Sequence, residues 1–365
     1  MTAFKFHDLP VSNITPEAAG AVAITLQVPD ALRSGFNFKA GQFLTLRATI
    51  DGNDVRRSYS ISSSQNAYAQ NGTLEVGIRP VQGGVFSNWA ATQLKVGDVL
   101  RVMPADGRFI VQRPRAIHRV GFAAGSGITP ILSILASTLE EQPDSKFTLV
   151  YGNRRMDSVM FNEALQDLKD RYPNRLTLIH VLSRQAQEVP LLEGRIDEAK
   201  VKEIVNSLLP AASMDEVFIC GPEAMITATE AALKTAGVPE GRVYTERFTT
   251  SADMAAKVQA DSDAKASGVP LGKLVALRVL LDGKFHEVPM GSADNVLDAA
   301  LNAGLDLPFS CKGGVCSTCR CKVLEGTVRM EKNFALDAGE TAQGYVLSCQ
   351  AKATTPALVV SFDER

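Results

Sequence analysis

Hydrophobic and polar residues alternate in short runs along the first part of the chain, up to about residue 112, and Gly, Pro, Asn and Asp separate the runs. Alternation with a period of two is typical of strands that bury one face. The fairly even spacing of the runs favours an antiparallel β-barrel or sandwich. Strands are predicted at residues 22–28, 42–47, 74–79 and 99–102.

The pattern changes at residue 113, and up to residue 248 short apolar runs alternate with helix-length segments. Such alternation predicts an α/β doubly wound sheet, whose ligands bind outside the carboxyl ends of the strands. The predicted strands are 118–124, 147–151, 176–182 and 216–220, and the predicted helices are 130–140, 159–171, 198–208 and 223–236.

Two further segments follow. Residues 249–272 are rich in Ala, Ser, Asp, Thr and Lys without an apolar period, which predicts a flexible linker. Residues 273–365 show a mixed α+β pattern, in which Asp282-Gly283 predicts a tight hairpin turn. The predicted elements of this last domain are strands at 275–281, 284–289 and 357–362 and a helix at 295–303. The predicted division of the chain is therefore 1–112, 113–248, 249–272 and 273–365.

The composition excludes some classes of partner. The 365 residues carry a formal net charge of −2, so nothing indicates binding to nucleic acid or to a membrane surface. The longest apolar stretch, residues 120–136, is interrupted by Gly125, Gly127 and Pro130 and is not expected to span a bilayer. Residues 1–16 lack the form of a signal peptide, so the expected location is the cytoplasm, where thiols stay reduced.

Four of the six cysteines lie within residues 311–321. Cys311, Cys316 and Cys319 have the spacing C-x4-C-x2-C, and with Cys349 they form the plant-type pattern for a [2Fe–2S] cluster. The alternatives are structural disulfides, which a reducing setting disfavours, and a zinc ribbon, which usually has two C-x2-C pairs. Cys321 is interpreted as a small buried thiol rather than a ligand.

The four histidines are scattered, and no two of them have the spacing of a metal-binding pair. A mononuclear iron triad and a Rieske centre both need two His ligands, so neither is predicted. Chemistry on oxygen or on a final substrate is therefore expected on another protein.

Three motifs suggest nucleotide chemistry. The segment 57–63 joins an Arg, an aromatic residue and hydroxyls, which together can contact a ring, a ribityl chain and a phosphate. The segment 83–89 places glycines before a helix-forming run, which suits a pyrophosphate at a helix N-terminus. The loop 124–130 reads G-x-G-x-x-P between a predicted strand and helix, where bare glycines allow a phosphate to approach. Each motif alone is equally typical of a surface strand or a turn.

In this order, the motifs resemble the ferredoxin–NADP reductase family joined to a C-terminal plant-type ferredoxin. The resemblance covers nearly all of the chain except the linker. It implies an antiparallel β-barrel FAD domain, an α/β NADPH domain and a β-grasp-like [2Fe–2S] domain. The residues that it assigns to FAD are Arg57, Ser58, Tyr59, Ser60, Ile78, Arg79, Gly84, Val85 and Ser87.

The resemblance also assigns residues to NADPH and to the contact between nicotinamide and flavin. Ser183 and Arg184 would grip the 2′-phosphate, which a planar guanidinium suits, although a solvated loop Arg is the alternative. The full NADPH set is Gly125, Gly127, Thr129, Pro130, Asn153, Arg154, Ser183, Arg184, Cys220, Gly221 and Pro222. The residues expected at the reacting centre are Tyr59, Ser60, Cys220, Glu246 and Phe248.

The resemblance implies a path for electrons from NADPH to FAD, then to the cluster, and finally to an oxygenase component. The strings Cys-Lys-Gly-Gly-Val-Cys and Tyr-Val-Leu-Ser-Cys-Gln are most similar to reductases of the phenylacetyl-CoA epoxidase type, whose partner would be a di-iron oxygenase. The alternatives are a reductase for another steroid or aromatic-ring oxygenase, and a redox sensor that reports to a partner.

Overall fold

The computed structural model describes residues 5–111, 117–248 and 274–364. The predicted boundary at residues 112 and 113 and the predicted linker 249–272 lie outside the described residues. The described chain forms two compact units: one holds residues 6–55 and 59–248, and the other holds the remaining described residues.

The first unit begins with a six-stranded antiparallel sheet in the order β4-β3-β6-β1-β2-β5. A bridge between Ile61, just after β4, and Val76 in β5 joins the two edges, so the sheet is barrel-like, as predicted. Alternate residues of β5 are fully buried inside it. The elements are β1 (His7–Pro16), β2 (Val22–Gln27), β3 (Phe43–Ile50), β4 (Asn53–Ser60), α1 (Gln65–Asn71), β5 (Thr73–Ile78), α2 (Val85–Thr92) and β6 (Val99–Val102).

The second part of this unit is a five-stranded parallel sheet in the order β11-β10-β7-β8-β9, which confirms the predicted α/β class. Its helices alternate with the strands along the chain. The elements are β7 (His118–Ala124), α3 (Ile128–Glu141), β8 (Lys146–Asn153), α4 (Asn162–Arg171), β9 (Leu176–Leu182), α5 (Glu198–Ser207), β10 (Glu216–Cys220), α6 (Glu223–Thr235) and β11 (Val243–Glu246).

The predicted helix at 159–171 starts too early. Val159, Met160 and Phe161 are apolar and buried, but they belong to the connection before α4. Phe161 has a φ of 57°, in the left-handed region that non-glycine residues rarely adopt. Its N–H donates to the Glu17 carboxylate of the barrel at 2.7 Å, and this bond helps to hold the unusual backbone conformation.

A buried ion pair joins the two central strands of the parallel sheet at their amino ends. Arg119 of β7 and Glu216 of β10 are 0% and 1% exposed, and Arg119 Nε donates to Glu216 Oε2 at 2.8 Å. Gln142 accepts a further bond from Arg119 at 2.7 Å. A buried charge is tolerated when it is paired and hydrogen-bonded in this way. The opposite, carboxyl ends of the same strands carry the candidate site.

The second unit is an α+β domain whose main sheet has the order β13-β12-β18-β14-β16. β12 and β13 form the predicted hairpin, and β18 lies parallel to β12. Asp282 and Gly283 both have positive φ, as a type I′ turn requires. The elements are β12 (Leu274–Leu281), β13 (Lys284–Gly291), α7 (Val296–Asn302), β14 (Arg320–Glu325), β15 (Val328–Met330), α8 (Ala338–Ala342), β16 (Tyr345–Leu347), β17 (Ala351–Ala353) and β18 (Ala357–Ser361). Among the described residues, every helix is too short or too polar to traverse a lipid bilayer.

Candidate functional site

The loop after β7 packs directly against the carboxyl end of β10. A Cβ on Gly127 would lie 2.1 Å from the Cys220 carbonyl oxygen and 2.8 Å from the Gly221 nitrogen, so no side chain fits there. The sequence interpretation gave Gly127 to phosphate approach. The structure gives it a packing role, because its bare backbone lets two strand ends meet where a nucleotide would lie.

Gly125 is constrained differently. Its φ is 54°, a conformation that favours glycine. The Tyr151 hydroxyl donates to the Gly125 carbonyl at 2.9 Å, and an added Cβ would lie 3.1 Å from the Arg79 guanidinium. The loop is therefore held from β8 on one side, and Arg79 brings a positive charge to it from the end of β5.

Ser60, Cys220 and Glu246, which the sequence placed at the reacting centre, come together. Ser60 Oγ donates to Glu246 Oε2 at 3.0 Å, and Glu246 is the register partner of Cys220 across β10 and β11. Burial raises the pKa of Glu246 to about 8, and the hydrogen bond from Ser60 opposes part of that rise. Burial, and then the nearby Glu246, raise the pKa of the Cys220 thiol. Both shifts favour the protonated, uncharged forms of the carboxyl and the thiol.

The other two residues predicted for this centre, Tyr59 and Phe248, are aromatic and partly exposed. Tyr59 is half-buried at the end of β4, and its ring lies 5.6 Å from the Phe86 ring. Phe248, two residues beyond β11, is 39% exposed. A large exposed aromatic ring at a strand end can lie over a flat ligand, as the sequence interpretation expected.

The remaining flavin candidates divide into surface and core positions. Arg57 and Ser58 are half-buried in β4, whereas Ile78 is fully buried and packs within the barrel core. The Val81 N–H donates to Ser87 Oγ at 3.3 Å. An added Cβ on Gly84 would lie 2.5 Å from the same oxygen, so Gly84 and Ser87 pack together at the start of α2. Gly83 is exposed, has open space around it and has a φ of 73°, so the backbone before α2 is accessible to a ligand.

The nucleotide candidates on β8 and β9 lie side by side. The Ser183 N–H donates to the Asn153 carbonyl at 2.9 Å, and the Arg184 N–H donates to the Arg154 carbonyl at 2.8 Å. Both arginine side chains are exposed. Asn153 Nδ2 is buried and has no hydrogen-bond partner within the described ranges, an arrangement that a polar ligand group would satisfy.

Further contacts involve the residues predicted to bind NADPH and their neighbours at the carboxyl ends of the parallel strands. Asp157 lies close to the predicted phosphate grip, but its carboxylate pairs with Arg155 at 3.2 Å. Thr129 and Pro130 are buried in the first turn of α3, where Thr129 Oγ1 donates to the Ser126 carbonyl at 3.1 Å. The Gly221-Pro222 pair forms the turn into α6, with Pro222 at its N-cap.

Sequence reasoning missed Glu17, Glu75 and Gly77. An added Cβ on Gly77 would lie 2.7 Å from Thr129 Cγ2 and 2.8 Å from the Phe161 ring, so barrel strand β5 touches the start of α3 here. Burial raises the pKa of Glu75, Ser62 opposes the rise, and the charge of Glu17 adds to it. None of these residues lies in a recognisable motif, because each acts through a partner that is distant along the chain.

The four predicted cluster ligands, which are 8% exposed or less, lie in the second unit as two neighbouring pairs. The Cys316 thiol donates to the Cys311 sulfur, which also receives backbone N–H groups, and together they lower the pKa of Cys311. The second pair is Cys319 and Cys349, whose sulfurs also interact by a hydrogen bond. No three His, Cys, Asp or Glu side chains within the described ranges are grouped so that they could hold a single metal ion. A [2Fe–2S] cluster instead divides its ligands between two irons, and two pairs of thiols fit that requirement.

The cysteine loop itself is tightly turned. Lys312, Gly314 and Ser317 have φ values of 51°, 81° and 54°, and a Cβ on Gly314 would lie 3.0 Å from the Lys332 carbonyl. Such conformations cost free energy in a non-glycine residue and persist at binding loops. Cys321 lies in β14 and is fully buried in the core of the unit, as the sequence predicted.

Three family models match successive parts of the chain. The models are an oxidoreductase FAD-binding domain over residues 11–110, an oxidoreductase NAD-binding domain over residues 122–231 and a 2Fe-2S iron-sulfur cluster binding domain over residues 279–354. The predicted cofactor domains are therefore confirmed in kind and in order.

Curated relatives match over almost the full length. One of the subunits of 1,2-phenylacetyl-CoA epoxidase from Escherichia coli (strain K12) is 44% identical, and the match covers 99% of this chain and 98% of that protein. The ferredoxin reductase component of 3-ketosteroid-9-alpha-monooxygenase from Rhodococcus rhodochrous is 36% identical, with 97% and 96% covered.

Solved structures support the same fold. Phthalate dioxygenase reductase, described as a modular structure for electron transfer from pyridine nucleotides to [2Fe-2S], matches with a TM-score of 0.59 and 20% identity over 98% of both chains. A type IV self-sufficient cytochrome P450 monooxygenase matches with a TM-score of 0.66 and 22% identity, over 97% of this chain and 41% of that one. The chain belongs to the family of oxygenase reductase components that combine an FAD-binding domain, an NAD-binding domain and a [2Fe–2S] ferredoxin domain.

Proposed function

We propose that the chain is the NADPH-dependent reductase of a phenylacetyl-CoA epoxidase and passes electrons to a di-iron oxygenase component of that enzyme. The observation that carries the proposal is the 44% identity to one of the subunits of such an enzyme over 99% of the chain. The di-iron character of the partner rests on resemblance to the same reductases. The proposed compartment is the cytoplasm, where the six free cysteines would stay reduced.

The proposed cofactors and the protein side chains have different roles in this electron transfer. When bound, FAD would supply a two-electron acceptor for a hydride, and a [2Fe–2S] cluster held by Cys311, Cys316, Cys319 and Cys349 would supply one-electron transfer to a partner. The protein groups position and enclose these carriers and do no acid–base work on a substrate. Tyr59 and Ser60 are proposed to contact the flavin at the end of β4. Phe248 is proposed to cover it, which limits access of oxygen and water until a nucleotide binds.

Ser60, Cys220 and Glu246 are proposed to line the contact between flavin and nicotinamide. They come from three strand ends and form one group, in which Ser60 and Cys220 are buried, Glu246 is half-buried and the Ser60–Glu246 bond measures 3.0 Å. Because the carboxyl is protonated at neutral pH, the group carries no charge that would oppose arrival of a hydride. The bare backbone at Gly127 keeps the start of α3 close to this group.

Arg184, with Ser183 and Arg154, is proposed to bind the 2′-phosphate of NADPH. The two exposed guanidinium groups extend from neighbouring strand ends, which a backbone bond of 2.8 Å holds together. A phosphate dianion suits such a pair through charge-assisted bonds. Asp157, three residues after Arg154, is paired with Arg155 at 3.2 Å and so repels the phosphate less than a free carboxylate would.

Reconstitution tests the proposed reaction. The chain, mixed with the oxygenase component of a phenylacetyl-CoA epoxidase, NADPH and oxygen, is expected to support oxygen-dependent consumption of phenylacetyl-CoA, followed by chromatography. A parallel assay with a 3-ketosteroid-9-alpha-monooxygenase oxygenase component tests the second candidate, which the 36% identical relative favours. Faster turnover with the ketosteroid oxygenase component than with the epoxidase component would assign the chain to steroid oxidation.

A separate assay uses cytochrome c as an artificial electron acceptor. If NADPH reduces the protein but cytochrome c is not reduced in sustained turnover, the chain would be a redox sensor and not a reductase.

Cys316→Ser is expected to abolish the visible absorption of the cluster while the flavin and NADPH–ferricyanide activity remain, since the FAD site lies in the other domain. Cys321→Ser is the matched control, because Cys321 is equally buried but lies in β14. It should keep the cluster. Absorption and electron paramagnetic resonance spectra distinguish the two, and the opposite pattern would refute the ligand assignment.

Ionisation of Glu246 is expected to lower kcat/KM for NADPH at alkaline pH, which gives the pH profile a falling alkaline limb. Its pKa is raised to about 8, so the carboxyl is protonated below that pH and becomes negative as the pH rises through it. The new charge opposes hydride arrival, and kcat/KM for NADPH with ferricyanide should fall above pH 8. Glu246→Gln should lack this limb, whereas Glu240→Gln, an exposed control, should retain it. Identical profiles in all three proteins would show that Glu246 does not titrate at the reacting centre.

Arg184→Ala is expected to lower kcat/KM for NADPH about tenfold and to leave NADH nearly unchanged, because NADH lacks the 2′-phosphate. The loss should shrink as salt rises, since the guanidinium is exposed. Arg171→Ala is the control. Arg171 is the last residue of α4, so it lies near the amino ends of the parallel strands, whereas Arg184 lies at their carboxyl ends. Equal losses for both nucleotides would mean that Arg184 supports the fold and not the phosphate.

A further inference from the structure

The Gln350 side chain touches the cysteine loop at two points. It follows Cys349 directly and is only 3% exposed. Its Nε2 donates to the Cys349 sulfur at 3.3 Å and to the Lys312 carbonyl at 3.0 Å. One amide group therefore joins the fourth cysteine to the loop that holds the first.

The backbone around Gln350 fixes the direction of its side chain. Its N–H donates to the Leu347 carbonyl at 2.8 Å, and its carbonyl accepts from the Glu331 N–H at 3.1 Å. The side chain then passes Gly314, where an added Cβ would lie 3.3 Å from Gln350 Cγ. The amide is thus held between two parts of the loop, and the bare Gly314 leaves room for it.

We infer that Gln350 is a positioning residue that raises the reduction potential of the cluster through its N–H bond to the Cys349 sulfur. The inference rests on the proposed cluster at Cys311, Cys316, Cys319 and Cys349. Reduction adds one negative charge to the cluster and its thiolates, and an N–H donor stabilises that charge. Burial strengthens the effect, because little water is present to screen the bond.

Both backbone and side-chain donors reach the cysteine sulfurs. Cys311 receives N–H groups from the backbone of Gly313, Val315 and Cys316, which remain after any substitution other than one to proline. The donor from Gln350 to Cys349 belongs to a side chain. It is therefore a place in this loop where one substitution can change the potential while the backbone stays as it is.

Gln350→Met tests the inference, because Met has a similar length and no N–H group. The cluster should assemble, and a dithionite titration with mediator dyes should show its one-electron equilibrium shifted about three- to tenfold toward the oxidised form. That shift corresponds to a potential lower by about 28 to 59 mV. Gln350→Glu keeps the shape but adds a negative charge and should lower the potential further.

Gln343→Met is the matched control, since Gln343 is exposed in the same unit beyond α8, and its potential should equal that of the unaltered protein. The Fe–S stretching bands in resonance Raman spectra should shift for Gln350→Met and not for the control. An unchanged potential in Gln350→Met with an intact cluster would overturn the inference. Loss of the cluster from both Gln350 variants would also overturn it, because Gln350 would then build the loop without setting its potential.

The titration needs neither NADPH nor an oxygenase. Failure to support epoxidation in the reconstituted system would therefore leave this result unaffected. A potential that does not respond to Gln350 would equally leave the proposed electron path in place.

Discussion

The packing of Gly127 against the backbone of Cys220 and Gly221 is the contact on which the nucleotide site depends. A Cβ at this position would lie 2.1 Å from a carbonyl oxygen, so the two strand ends can meet only while the residue is glycine. This close approach sets the start of α3 beside the end of β10. The buried Arg119–Glu216 pair holds the same two strands together at their other ends. The strand ends are thus constrained from both sides before any ligand binds.

The Ser60–Glu246 hydrogen bond extends this arrangement to the barrel. It connects the last residue of β4 with the last residue of β11, which belong to different sheets. Because the carboxyl is buried there, its pKa rises to about 8 and it stays neutral at physiological pH. The hydrogen bond that the Phe161 N–H donates to the Glu17 carboxylate provides a second link between the barrel and the parallel sheet. Both links rely on carboxyl groups that the sequence alone does not connect to their partners.

In the cysteine loop, the backbone conformation and hydrogen bonds to sulfur hold the candidate ligands in place. There, positive-φ residues turn the backbone so that N–H groups point at sulfur, and buried thiols lie in two neighbouring pairs. Gln350 adds a side-chain donor to the same arrangement. Burial raises the pKa of Glu246 in the first unit, and in the cysteine loop hydrogen bonds to the Cys311 sulfur lower its pKa against the effect of burial.

The order of the three domains, most strands, the candidate cysteine ligands and the glycine loops could be predicted from the sequence, because each has a recognisable pattern or motif. Apolar periods and the glycine and C-x4-C-x2-C motifs lie within some ten to fifteen residues, which single-sequence reasoning can resolve. It failed where a local signal was ambiguous, as at Val159 to Phe161, whose apolar side chains are buried without forming a helix. The proline-containing strand β1 was missed for a similar reason.

Which distant residues meet depends on the tertiary structure. Ser60 and Glu246 are 186 positions apart, and Glu17 and Phe161 are 144 positions apart. The close packing of Gly127 against Cys220 and the raised pKa of Glu246 likewise depend on the folded chain. These properties depend on steric fit and on burial, which arise when separate elements close around each other, and no stretch of the chain encodes them alone.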